Sequence, residues 1–190
     1  MEKVIFIDRD GVINVDLMGD YVKEPGEFSF EKGAVDALLM LQNAGYKIII
    51  ISNQAGVGEG IFSEEALKEV HQHMLDELNA QGVEIHDAFY CLHGKHEVIC
   101  NCRKPKTGLF EQASEVIDYD KDQTYFIGDK ATDIEAGKNF DLKTLFVRTG
   151  HGIEDEKKLT DALLPDLKAD NLLEGAKLIL ATERHQSHKI

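Results

Sequence analysis

The sequence predicts an α/β domain, a doubly wound parallel sheet, and three observations carry the prediction. Apolar runs at 3–7, 47–51, 124–127 and 144–147 are continuous rather than alternating, as expected for parallel strands covered on both faces. Stretches with helical spacing separate them, and strands alternating with helices call for this architecture. Three of the runs also lead directly into polar residues of reactive type, Asp8, Ser52 and Asp129. In open parallel sheets ligands bind beyond the carboxyl ends of the strands, so these three converge by topology.

The first run ends in Asp8-Arg9-Asp10-Gly11. Two carboxylates so close cannot both ionise cheaply without a cation. Oxygen-only ligands at a turn suit Mg²⁺, which keeps waters and borrows phosphate oxygens from a substrate. Arg9 reads either as solvated beside the acidic turn or as a contact to the substrate. Residues 16–30, with Gly19, Pro25 and Gly26, read as an irregular insertion. A helix follows within 31–45, with Val35, Leu38, Leu39 and Leu41 on one side and Gly45 as its stop.

The second run ends at Ser52, followed by Asn53-Gln54. Ser63 opens a longer helix carrying Leu67, Val70, Met74, Leu75 and Leu78 on one face. Residues 107–119 form a third helix that buries Leu109, Phe110, Ala113, Val116 and Ile117. The third run gives Gly128-Asp129-Lys130 and then Asp133, within reach of a helix over 132–139. Asn171 and Glu174 form a capping arrangement ahead of the last helix. Residues 185–190, with His185 and His188, read as a frayed tail.

All three cysteines fall in one loop, 91–102, as Cys91-x-His93 and Cys100-x-Cys102. Three thiolates and an imidazole are a tetrahedral zinc set, and closed four-ligand sites are structural rather than catalytic. His96 lies in the same loop as an alternative to His93. Arg103 and Lys104 follow directly, so zinc (Zn2+) would rigidify a basic segment in an acidic chain.

The 190 residues suit a single domain, 1–190, and carry a net charge of -14. That field repels nucleic acid and anionic membranes, so neither is an expected partner. No run approaches a membrane span, and no apolar leader precedes the acidic turn. An odd cysteine count argues against a disulfide framework, and the expected location is the cytoplasm. With no large apolar patch legible, a monomer is the default.

Taken in order, the strand ends resemble the motifs of the haloacid dehalogenase superfamily of phosphohydrolases, over residues 4–150. The resemblance implies a Rossmann-like, capless fold and an aspartyl-phosphate mechanism with Mg²⁺ (Mg2+). Asp8 would be the nucleophile and Asp10 the general acid and base. Ser52 and Lys104 would bind the phosphoryl oxygens. The magnesium would be held by Asp8, Asp129 and the backbone carbonyl of Asp10.

The zinc set and Cys102-Arg103-Lys104-Pro105-Lys106 narrow the resemblance to the branch holding heptose bisphosphate phosphatases and histidinol-phosphate phosphatases. It implies a small phosphorylated substrate, contacted by Asn53, Gln54, Arg103 and Lys130. The free-standing chain and the Asn14–Tyr21 region lean towards a sugar bisphosphate. The short zinc loop leans towards histidinol phosphate as the alternative. An inactive binding module on the same fold is opposed by the complete motif set.

Overall fold

The computed structural model describes residues 1–96 and 99–187. Its sheet contains β1 (Lys3–Ile7), β2 (Tyr46–Asn53), β3 (Asp87–Cys91), β4 (Tyr125–Gly128), β5 (Lys143–Val147) and β6 (Leu167–Ala169). All neighbours are parallel, in the order β3-β2-β1-β4-β5-β6. The chain moves outward from β1 on one side and returns to β4 on the other. That reversal puts the switch point at β1, with Asp8 flanked by the ends of β2 and β4.

Alternate residues of each strand feed two cores, which is why the runs are apolar throughout. Ile5, Ile7, Ile48 and Ile50 pack with α1 (Ala34–Asn43), α3 (Glu64–Ala80) and α7 (Leu172–Ser187). Val4, Phe6, Ile49 and Phe126 pack on the other face with α4 (Gly108–Val116) and α5 (Ala131–Asn139), and the short helices α2 (Ala55–Gly58) and α6 (Gly152–Asp155) follow β2 and β5. There Phe110 meets Phe6 and Phe126 edge-on, with centroids 5.3 and 5.0 Å apart.

Local signals act where the sequence puts them. Ser63 accepts the amide of Ala66 at 3.1 Å at the start of α3, and Asn171 Oδ1 accepts that of Glu174 at 3.0 Å before α7. Gly45 ends α1 in the left-handed region, at φ +89°. Two strands, β3 and β6, were not expected. They lie at the sheet edges, where a half-buried strand loses its continuous apolar signature. Val116 is a further correction: α4 ends there and the side chain is exposed. The expected tail falls partly within α7, and residues 188–190 lie outside the described residues. Among the described residues no helix is long and apolar enough to cross a membrane.

Candidate active site

Asp8 is presented where β1 leaves the sheet, its Oδ1 accepting the amide of Arg9 at 2.8 Å. Lys104 arrives from the cysteine loop with Nζ 3.1 Å from Asp8 Oδ1 and 2.7 Å from Asp133 Oδ1. Its third contact is the carbonyl of Ile51, at 3.0 Å. All three charged side chains are buried. Burial favours the neutral lysine, but Asp133 and Asp8 outweigh it and hold the ammonium above its ordinary pKa.

Asp129 closes the group at the end of β4. Its Oδ2 accepts the amide of His151 at 2.7 Å, while the buried Oδ1 finds no hydrogen-bond partner among the described residues. Burial pushes this carboxyl well above the usual range; Lys130 pulls it down, and Asp133 and Asp8 push it up. Gly11 (φ +86°) and Gly150 (φ +54°) wrap it so closely that a Cβ on either would strike Asp129 Oδ2.

Asp8, Asp129 and Asp133 each offer an oxygen within 4.8 Å of the others. An orphaned buried carboxylate oxygen in an all-oxygen set fits a hard divalent cation such as Mg²⁺. The side chain of Asp10 stands apart from this group. It takes Arg9 Nη2 at 3.0 Å on both oxygens, Asn14 Nδ2 at 3.0 Å and Gln54 Nε2 at 2.7 Å. Burial pushes Asp10 up, but Arg9 and the two amides outweigh it and hold the carboxyl below the usual range.

Arg9 is fully buried, against the reading of a solvated side chain, and Tyr90 lies beside its guanidinium. Gln54 is likewise fully buried and turned to Asp10, not to the cavity. The Asn53 amide is spent on the backbone of Lys104. Asn53 nonetheless lines the cavity, whereas nothing local in the sequence marks Gln54 as facing inward.

Beyond the strand ends opens a cavity of about 500 Å³, which Asp8, Asp10, Ser52, Arg103, Lys104 and Lys130 help line. Lys130 Nζ lies 3.7 Å from Asp129 Oδ1 and 3.9 Å from Asp16 Oδ2. Asp16 also takes His151 Nε2 at 2.8 Å, so the 16–30 insertion is tied to the rim. The sequence marks Asp16 only as part of the Asn14–Tyr21 region; its pairing with Lys130 and His151 comes from the fold.

The ligand atoms of Cys91, His93, Cys100 and Cys102 lie within 4.8 Å of one another, and the cysteines are free. Sulfur–sulfur separations run from 2.8 to 3.5 Å, and His93 uses Nδ1. Three thiols and an imidazole at this spacing fit a tetrahedral metal such as zinc. Among the described residues His93, not His96, joins the group. The loop bears on the site directly: a Cβ on Gly58 would strike the backbone of Leu92, His93 and Gly94.

A parallel sheet ending in Asp8, Ser52 and Asp129, with a buried lysine between carboxylates, defines a phosphatase of the haloacid dehalogenase-like class. Residues 101–175 match the HAD-hydrolase-like family. The chain is 38% identical over 186 residues to D-glycero-β-D-manno-heptose-1,7-bisphosphate 7-phosphatase of Pasteurella multocida, covering 93% of this chain and 100% of that one. It is 39% identical to the histidine biosynthesis bifunctional protein HisB of Campylobacter jejuni, over 76% of this chain and 41% of that one. The crystal structure of D,D-heptose 1,7-bisphosphate phosphatase from B. bronchiseptica, complexed with magnesium and phosphate, superposes with a TM-score of 0.87. Its identity is 28%, and the match covers 95% of this chain and 99% of that one. The chain belongs to the haloacid dehalogenase-like phosphatase family that includes the D-glycero-D-manno-heptose-1,7-bisphosphate 7-phosphatases.

Proposed function

We propose that the enzyme removes the 7-phosphate of D-glycero-D-manno-heptose 1,7-bisphosphate through a phosphoryl group carried on Asp8. The observation that carries this reading is the carboxylate of Asp8, at the central strand end, facing the cavity beside Lys104. The carboxylate attacks phosphorus, the bond to the sugar oxygen breaks, and Asp10 gives that oxygen its proton. Asp10 then takes a proton from water, whose oxygen attacks the acyl phosphate and releases Asp8 and inorganic phosphate.

Ser52 and Lys104 receive the equatorial phosphoryl oxygens, where charge builds in the transition state. Asp8 and Asp129, with the backbone carbonyl of Asp10, would hold Mg²⁺. Bound there, it would shield the nucleophile from the phosphate charge and polarise the phosphoryl oxygens. Asp133 serves Lys104 as a counter-ion, on the evidence of their 2.7 Å separation. Cys91, His93, Cys100 and Cys102 would hold structural Zn²⁺. Arg103 and Lys130, which both line the cavity, are the cations for the rest of the substrate. Reduced thiols in the cluster support a cytoplasmic enzyme.

Histidinol phosphate is the second reading, favoured by the match to HisB. Phosphate release with Mg²⁺ on both substrates decides between them. A kcat/KM ratio above about 100 in favour of heptose bisphosphate, nearly 3 kcal/mol of discrimination, is expected. The reverse ratio transfers the enzyme to the second reading. Asp8→Asn should abolish turnover on either substrate with the fold intact, and unchanged turnover would overturn the mechanism.

A further inference from the structure

The carboxylate of Asp10 is ringed on its protein side by Arg9, Asn14 and Gln54, all with 0% exposure. The Asp10 side chain itself keeps 17% of its surface, and it lines the cavity. Arg9 Nη2 lies 3.0 Å from both carboxylate oxygens, on the bisector of the group. Gln54 Nε2 donates to Asp10 Oδ2 at 2.7 Å and also to Ser52 Oγ at 3.1 Å. One amide therefore bridges the end of β2 to the turn after β1.

The orientation of that amide is dictated by its partners. Only the nitrogen can donate to a carboxylate, and the oxygen then faces Arg9 Nη2 at 3.4 Å. Among the described residues, Arg9 Nε and Nη1 are buried with no hydrogen-bond partner. A buried guanidinium with unpaired donors is a poor way to fill a core, and apolar residues of similar volume are often as stable or more so. The side chain is better explained by what its paired nitrogen does to Asp10.

We infer that Arg9 and Gln54 are positioning residues that fix the Asp10 carboxylate at the cavity wall, in register with the phosphate held by Ser52. Neither touches the reacting atoms; each acts through Asp10. This rests on the reading of Asp10 as the general acid. A misplaced acid hurts most where the leaving oxygen most needs its proton. A merely structural defect would slow all esters alike.

The test is kcat/KM, which reports formation of the phosphoenzyme, across p-nitrophenyl phosphate, phenyl phosphate and an alkyl phosphate, with Mg²⁺. For Gln54→Met we expect a loss of about 10- to 100-fold on the alkyl ester and less than about threefold on p-nitrophenyl phosphate. Arg9→Lys repeats the measurement should Gln54→Met fail to fold. A uniform loss, or none, across the series in a folded variant overturns the inference. Asp10→Asn, run alongside, separates the two levels: its loss should climb most steeply with the basicity of the leaving group. A flat series for Asp10→Asn overturns the acid role itself, whereas a steep one beside a flat Gln54→Met series overturns only the positioning roles.

Discussion

The side-chain amide of Asn53 clasps the backbone of Lys104 from both ends. Lys104 N donates to Asn53 Oδ1 at 3.0 Å, and Asn53 Nδ2 donates to Lys104 O at 3.3 Å. The end of β2 thus fixes the height at which the cysteine loop delivers its lysine into the site. Two neutral hydrogen bonds are worth about 1 kcal/mol each. Asn53→Ala should therefore lower the thermal midpoint by several degrees and reduce kcat/KM by about 5- to 30-fold. An unchanged kcat/KM would show that Lys104 is held without the clasp.

Lys104 is the cation between two buried carboxylates, so its loss is expected to cost stability as well as turnover. Lys104→Met leaves Asp8 and Asp133 without the cation in contact with both, a defect of about 3 kcal/mol. Urea unfolding in metal-free buffer should read that loss. Adding Asp8→Asn should return part of it, because one of the stranded charges is gone. If the double variant is no more stable than Lys104→Met, the pair is not what holds the lysine.

The cysteine loop packs on the turn after β2 at the close approach of Gly58 to Gly94, and Glu59 Oε1 accepts the amide of Lys95 at 3.0 Å. Structural zinc contributes on the order of 10 kcal/mol of local folding free energy. On the proposal that Cys91, His93, Cys100 and Cys102 hold zinc, chelation or Cys102→Ser should lower the thermal midpoint and reduce kcat/KM by about tenfold or more. Metal content measured on the same samples makes the comparison decisive: full activity in zinc-free protein would sink the role.

Asp155 anchors the start of α5, its Oδ2 accepting the amide of Ala131 at 2.9 Å. Burial pushes this carboxyl up, but Lys158 and the Ala131 amide outweigh it, and the folded pKa lies below the unfolded one. The unfolded protein then binds the proton first as pH falls, so the contribution is complete above about pH 4 and is lost below it. Wild type should exceed Asp155→Asn by about 1 kcal/mol at pH 7 in urea unfolding. The gap should narrow below about pH 4. A gap that stays constant to low pH would assign the effect to packing.

Much of the site was legible because its signals are local. A run such as Val4–Ile7 needs no partner to read as a buried strand, and Asp8, Ser52 and Asp129 follow such runs directly. The cysteines announce their cluster by composition and spacing alone. The edge strands β3 and β6 were not legible, because their strand character comes from a neighbour's backbone and not from their own apolar content.

By itself, then, the sequence determined the alternation of elements, the strand ends at which Asp8, Ser52 and Asp129 stand, and the Cys₃His set. Only the tertiary structure decided which way the polar side chains turn. Arg9 reads as a surface cation until Asp10, Gln54 and Tyr90 close around it. Gln54 reads as facing outward until Asp10 claims its amide, and Asn53, though it lines the cavity, also holds the backbone of Lys104. The reason is physical: burying a charge or an amide is tolerable only with a partner, and these partners come from elements up to 51 residues away.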